Sequence, residues 1–322
     1  MSDGARGDGP MRRHALTSRL RRVLLDPRSA WWTRRSPEQL FARYGRLARR
    51  AGLGELSLVI SFDCDTLADA EVVVDVHERL RQIGVLASYA VPAEILERGA
   101  DAYRQVAATG AEFINHGYRE HTVKEDGRYT STLFYDRLTE DEVRADMVAG
   151  DRAVHAVLGR RPSGFRVPHF GTYQRPTQLR FLHGVLRELG YGYSSSTVPL
   201  WGFRRGPAFR DFGVLEFPVS GTATAPLDIL DSWGFFAAPD RVHDAGDYAR
   251  EGALAAELYR RAGAGILSFY ADPSQIHSES VFFETVARWR EVATPTSYEA
   301  LARRLSSTPD AGATTSPTIS AS

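Results

Sequence analysis

The chain reads as an α/β protein in which parallel strands are wrapped by helices into a barrel. Two observations predict this. Short apolar runs of strand length alternate with amphipathic helical stretches from residue 56 to about residue 292, the signature of strand–helix–strand units in a parallel sheet. About seven such runs occur and no glycine-rich dinucleotide turn follows the first, which favours a barrel over an open doubly wound sheet.

Residues 1–54 form a helical extension, arginine-rich at first. Leu40, Phe41, Tyr44 and Leu47 recur at helical spacing after Ser36-Pro37, which reads as a cap and a first-turn proline. The barrel is expected over 55–305. Its first strand, 56–62, is apolar and bounded by Gly54 and Asp63. A helix over 69–83 follows, then a strand over 85–91, a helix from Pro92 to about Ala108 and a strand over 111–115. A long polar loop, 117–138, interrupts the rhythm. Thr139 and Glu142 then form a capping box that starts a helix to about Leu158. Further strands are expected near 163–167, 191–195, 214–219 and 265–270, and helices near 177–188, 247–262 and 278–292. Residues 306–322, rich in Ser, Thr, Ala and Pro, read as a disordered tail.

Composition narrows the chemistry. Formal net charge is zero and the pI about 7.2, which argues against an electrostatic grip on nucleic acid or an anionic membrane. Lys124 is the only lysine, so Schiff-base and P-loop mechanisms have almost nowhere to reside. Cys64 is the only cysteine, so no internal disulfide is expected. The arginines at the start of the chain are not followed by an apolar leader, and no run reaches the roughly 20 residues of a membrane span. The expectation is a cytoplasmic protein.

Parallel α/β barrels place their sites at the carboxyl ends of the strands. In order, those ends supply Asp63 and Asp65, Asn115 and His116, Arg166, then Tyr270 and Asp272. Asp63 and Asp65 are two apart on an extended segment and point the same way; alone, the pair reads as strand-end punctuation. His116 and His121 beside that pair suit zinc or a similar metal. Arg166, flanked by Phe165 and Val167, can fork onto a carboxylate and hold it ionised and aimed. Cys64 reads as an apolar filler, because flanking carboxylates suppress a thiolate. His77, His155 and His183 read as core histidines on their helices. Tyr193-Ser194-Ser195-Ser196 reads either as a set of substrate hydrogen-bonding groups or as a polar strand terminus. No G-x-S-x-G or H-E-x-x-H occurs.

Taken in order, these segments resemble the polysaccharide deacetylase (NodB-homology, carbohydrate esterase family 4) superfamily from about residue 57 to 275. Ser61-Phe62-Asp63-Cys64-Asp65 resembles its first motif, Glu112 to His116 and on to His121 its second, and Phe165-Arg166-Val167-Pro168 its third. Leu215 to Ser220 with Asp231-Ser232-Trp233 resembles its fourth. The resemblance implies a distorted (β/α)7 barrel and metal-dependent hydrolysis of an N-acyl amide, commonly on an amino sugar. It implies Asp63 as catalytic base, Arg166 as its orienting residue, and Asp65, His116 and His121 as ligands of one divalent ion, zinc with cobalt or nickel as alternatives. Tyr118, Pro168, His169, Trp233 and Tyr270 are expected to contact the substrate, and the 117–138 loop, with Tyr118, Tyr129, Phe134 and Tyr135, to lid the site.

Two positions depart from the family pattern. Four residues separate His116 from His121, where the family has three. Asp272 precedes Pro273 where the family has a general-acid histidine. Asp272 can serve as the acid if burial raises its pKa; His277 and His169 are the other candidates. The expected reaction is N-deacetylation of an amino-sugar metabolite or glycan precursor. Opening of a cyclic imide or ureide, or carbohydrate binding without turnover, are the alternatives.

Overall fold

A computed structural model of the chain describes residues 36–125 and 128–307. The arginine-rich start, 1–35, and most of the expected tail, 308–322, lie outside the described residues. Among the described residues the first helix, α1 (Pro37–Arg50), opens on Pro37 as expected, but the Ser36 side chain makes no cap bond. Leu40, Phe41 and Tyr44 are buried on one stripe of α1. The Tyr44 hydroxyl donates to the Ile266 carbonyl at 2.8 Å, and Phe41 meets Tyr259 edge to face. The extension is therefore a buttress of the barrel wall.

β1 (Leu56–Asp63) is buried along its whole length, as a central parallel strand covered on both faces must be. It leads into α2 (Leu67–Gln82), β2 (Ser88–Val91), α3 (Ala93–Arg98), α4 (Ala100–Ala108) and β3 (Glu112–Asn115). The single helix expected over 92–108 is two. Its break is Gly99, where a Cβ would stand 2.7 Å from that of Ala70; only glycine lets α2 approach so closely.

The expected loop over 117–138 contains a hairpin, β4 (Thr122–Glu125) and β5 (Arg128–Ser131), paired antiparallel. Then come α5 (Glu140–Leu158), capped by the predicted Thr139–Glu142 box, β6 (Gly164–Phe165), α6 (Pro176–Glu188), β7 (Tyr193–Ser194), α7 (Pro199–Arg205), β8 (Phe209–Asp211) and β9 (Val214–Glu216). A turn of π-helix spans Trp233–Ala237. The described residues end with α8 (Ala245–Ala262), β10 (Gly265–Ala271), α9 (Pro273–Ile276), α10 (Ser280–Val292), β11 (Thr294–Pro295) and α11 (Tyr298–Ser307). The last helix covers residues 306 and 307, two positions assigned above to the tail.

Seven parallel strands run in the order β10-β1-β2-β3-β6-β7-β9, with β8 antiparallel on the far edge of β9. The segment after β9 carries the curl round toward β10. Phe217 and Val219 donate their N–H groups to the carbonyls of Ser194 and Thr197, and Ser220 donates to Ser268 O at 2.7 Å. Ser268 N returns a bond to Ser220 Oγ at 3.0 Å. The fold is thus the distorted seven-stranded barrel predicted. β6 and β7 are shorter than expected because side chains replace the ladder at their ends. Val167 N donates to Ser196 Oγ, and Ser196 N and Thr197 N donate to Glu216 Oε1.

Candidate active site

β1 ends in Asp63, and the turn after it carries Asp65. β3 ends at Asn115, directly before His116, and β6 ends directly before Arg166. Three strands of the β1-β2-β3-β6 run therefore converge at one end of the barrel. Asp63 Oδ1 accepts from Arg166 Nη1 at 2.5 Å. The fork expected of this arginine is not bidentate on Asp63; its other nitrogens are used to hold the guanidinium itself. Nε donates to Ser195 O at 3.2 Å, and Nη2 faces Ser61 Oγ, Ser195 Oγ and Tyr298 OH at 2.9, 3.1 and 3.1 Å. Arg166 is wholly buried. It can carry its charge there because each nitrogen has a partner and one partner is a carboxylate.

The His116 ring is fixed by Nδ1, which donates to the carbonyl of Arg166 at 2.7 Å. Nε2 then faces the carboxylates, 3.5 Å from Asp65 Oδ1 and 4.0 Å from Asp63 Oδ2. His121 Nε2 lies 2.9 Å from Asp65 Oδ1, and the two rings meet edge to face with centroids 4.6 Å apart. Four intervening residues fit because the 117–120 turn is anchored from outside. Gly117 has φ +82°, and a Cβ there would stand 2.3 Å from Asp146 Oδ2. Asp146, on α5, accepts from Tyr118 N, Arg119 N, Arg119 Nε and Tyr135 OH.

Asp65, His116 and His121 form a group whose ligand atoms all lie within 4.8 Å of one another. His116 Nε2 is buried and has no hydrogen-bond partner, an orphaned lone pair of the kind that a cation satisfies. Its tautomer is set by a carbonyl on Nδ1, the outer-sphere arrangement of metal-binding histidines. Burial opposes ionisation of Asp65, yet the two histidines hold its pKa well below the ordinary range. Burial likewise opposes charge on His116, and Asp65 and Asp63 more than offset it, raising its pKa. The cluster favours positive charge at its centre, and a two-nitrogen, one-oxygen donor set suits a divalent ion such as zinc.

Around this cluster lie more acids. Asp272, half-buried after β10, has its pKa pushed well above the ordinary range by burial and then by Asp65, Asp69, Asp63 and Asp231. Burial likewise raises Asp231 to about 6; it accepts from Gly234 N at 2.8 Å and Tyr270 OH at 3.3 Å. Of the other acid candidates, His277 pairs with Asp75 at 3.0 Å on the surface. His169 adjoins His121, with centroids 5.1 Å apart, but burial and the neighbouring His121 lower its pKa to about 4, so it is neutral at pH 7. His169 also sits at φ 56°, an unusual backbone for a non-glycine residue.

The expected substrate contacts divide. Tyr270 stands over the site, tilted against Phe170 at 4.8 Å, and both rings face the Arg166 guanidinium, at 5.8 and 5.2 Å. Trp233 meets Tyr129 of β5 edge to face at 5.6 Å, and Tyr129 OH bonds Ser274 Oγ at 2.9 Å. The hairpin thus spans from His121 to the β10 side. Pro168 is buried in the turn between Arg166 and His169. Tyr118 is instead directed to Glu97 on α3, at 3.3 Å. Ser194, Ser195 and Ser196 are wholly buried and bonded within the protein, so they are a polar strand terminus and not substrate contacts.

Cys64 is buried and its pKa raised by burial and Asp69, as an inert filler requires. His77 is a satisfied core histidine, bonded to Tyr89 OH and Thr109 Oγ1, and His183 is buried against Glu216 at 3.0 Å. His155 is exposed, not core. Tyr298 behind Arg166 was missed by the motif reading, which named Ser61 and Ser195 without their support of Arg166. The only sequence signal for Tyr298 is the helical spacing of Tyr298, Leu301, Ala302 and Leu305.

A protein-family model for polysaccharide deacetylases matches residues 52–193, the stretch that supplies Asp63, Asp65, His116, His121 and Arg166. The match over this stretch supports the polysaccharide deacetylase (NodB-homology) superfamily. It likewise supports a carbon–nitrogen hydrolase of the deacetylase type. The superfamily fold recurs in solved structures. A protein described as a polysaccharide deacetylase from Mycobacterium smegmatis is 18% identical with a TM-score of 0.62, covering 79% of this chain and 91% of that one. Another so described, from Pseudomonas aeruginosa, is 14% identical with a TM-score of 0.61, over 84% and 95%. The allantoinase PuuE is 14% identical with a TM-score of 0.59, over 79% and 91%. No curated protein matches the sequence. Among the described residues, no helix is long and apolar enough to cross a membrane.

Proposed function

We propose that the chain is a metal-dependent N-deacetylase acting on an amino-sugar-containing metabolite or glycan precursor. The observation that carries the reading is the Asp63–Arg166 pair, joined at 2.5 Å beside the orphaned Nε2 of His116. Binding alone has no need of a carboxylate aimed by a buried arginine, which sets the non-catalytic alternative aside.

Asp65, His116 and His121 would hold one divalent ion, zinc or else cobalt or nickel, which when bound supplies Lewis-acid polarisation of an acyl carbonyl. Asp63 takes a proton from the attacking water while Arg166 keeps the carboxylate pointed at it. The C–N bond then breaks, and the departing amine takes the proton that Asp272 carries. Asp272 can retain that proton near neutral pH because burial and the surrounding carboxylates raise its pKa. Tyr270, Phe170, His169 and Trp233 wall the recess; aromatic rings suit the apolar face of a sugar.

Acetate release from a panel of N-acetylated amino sugars and nucleotide sugars tests the reading, with metal content measured beside it. Turnover by the wild type, lost together with the metal in Asp65→Ala/His116→Ala, is the expected result. Stoichiometric metal without turnover of any acyl amide overturns it. Asp272 in place of the family histidine supports a second reading, hydrolytic opening of a cyclic ureide. Hydrolysis of allantoin or hydantoins in place of acetamides would establish that one.

A further inference from the structure

The last helix enters the barrel from the end opposite the carboxylate cluster. Tyr298, its first residue, is wholly buried, and its hydroxyl lies 3.1 Å from Arg166 Nη2 and 2.7 Å from Ser268 Oγ. That position is not left to packing alone. Glu112, at the start of β3, accepts from Tyr298 N at 3.1 Å and Glu299 N at 2.7 Å. The same carboxylate accepts from Ser88 Oγ and Tyr193 OH, both at 2.5 Å. Ser297 Oγ takes Ala300 N, and Ser297 O takes Leu301 N. All four leading N–H groups of α11 are thereby satisfied, with a buried carboxylate at the positive end of the helix. The Tyr298 ring is stacked on Tyr193 at 5.8 Å and leans on Phe217.

A chain of contacts results: Glu112 fixes the start of α11, Tyr298 meets Arg166, and Arg166 aims Asp63. We infer that Tyr298, set by Glu112, is a positioning residue for the Arg166–Asp63 pair, so that the C-terminal helix is part of the hydrolytic apparatus. The inference rests on the reading of Asp63 as base given above. Tyr298 touches none of Asp65, His116 and His121, so its removal acts on the base and leaves the ligand set intact.

The test is Tyr298→Phe, which keeps the stacked ring and deletes only the hydroxyl. With the N-acetyl substrate that the panel identifies, kcat falls about tenfold, the size of one hydrogen bond to a charged group. KM and metal content stay within about twofold, a split that general loosening does not give. Repeated in an Arg166→Lys background, the same change costs under about twofold. Glu112→Gln lowers kcat in the same direction and adds little to Tyr298→Phe. An unchanged kcat in Tyr298→Phe, or an equal loss in both backgrounds, overturns the inference. If the wild type hydrolyses no acyl amide, the proposed function falls and the cycle is read on denaturation midpoints of the metal-loaded protein. Non-additive losses there uphold the Tyr298–Arg166 coupling and additive ones sink it.

Discussion

His116 and Asp63 are held by the same residue, His116 through the backbone carbonyl of Arg166 at 2.7 Å and Asp63 through its guanidinium at 2.5 Å. The proposed metal ligand and the proposed base therefore share one support but through separable atoms. A side-chain substitution at Arg166 spares the carbonyl and the ring it orients. Arg166→Lys keeps a charge but cannot reproduce the fan of bonds to Asp63, Ser61, Ser195 and Tyr298. The expected outcome is a loss of roughly a hundredfold or more in kcat with metal content retained. Asp63→Asn behaves the same way, with a loss on the order of 10² to 10⁴. Metal analysis and steady-state kinetics on the two variants check this; loss of metal in either contradicts it.

Much of this site was legible in the sequence because its residues stand where apolar runs stop. Asp63, His116, Arg166 and Asp272 terminate or follow strands whose burial makes them read as continuous hydrophobic segments. The hairpin β4–β5 was not legible. Lys124, Glu125, Thr130 and Ser131 are polar and exposed, so the hairpin lacks the alternation that marks a half-buried strand. Tyr118 misled for a related reason. An aromatic beside a ligand histidine invites a role in the pocket, whereas the Gly117 turn, fixed by Asp146, aims it at Glu97. The long-range supports of Arg166 were also invisible, because Tyr298 lies 132 positions away in sequence and its partner Glu112 looked like an ordinary strand residue.

Asp272 sets a pH signature. Its folded-state pKa stands above the ordinary carboxylate value, so the proton needed by the leaving amine is present at low pH and lost as pH rises through the raised pKa. kcat is expected to fall on the alkaline side accordingly, and Asp272→Asn to lower kcat while removing that limb. A profile of unchanged shape in Asp272→Asn would assign the acid elsewhere.

The same logic applies to stability. Asp231, raised to about 6, favours the folded state when protonated, so its ionisation costs stability as pH climbs from the unfolded value of about 3.9 to about 6. Asp231→Asn should therefore gain stability relative to wild type above pH 6, by up to roughly 2 to 3 kcal/mol, with the gain vanishing below about pH 4. Denaturant midpoints of the two proteins across that range decide it. An advantage that grows toward acid would reverse the sign and refute the argument.

Metal removal should separate ligand from neighbour. Asp65, His116 and His121 converge on a space that His169 borders but does not enter as a fourth donor, since its Nε2 lies 3.2 Å from the His121 carbonyl. His116→Ala or Asp65→Ala is expected to weaken zinc binding by at least about a hundredfold, more than an outer-sphere change produces. His169→Ala is expected to cost about tenfold or less. Competition with a chromogenic chelator measures all three. Equal losses for His169 and His116 would make His169 a ligand.

The hairpin reaches the β10 side through Tyr129, which touches Trp233 with its ring and Ser274 with its hydroxyl. Those contacts join the His121 side of the site to the Asp272 side, yet neither involves the base, the ligands or the acid. Loosening them should therefore change how a substrate is held more than how fast it reacts. Tyr129→Ala is expected to raise KM several-fold, comparable to losing an aromatic contact worth about 1 kcal/mol, while kcat changes by less than about threefold. Tyr129→Phe, which keeps the ring on Trp233, should fall between wild type and Tyr129→Ala. If Tyr129→Ala instead lowers kcat with KM unmoved, the hairpin acts on the chemical step and its assignment as a substrate-holding wall is wrong.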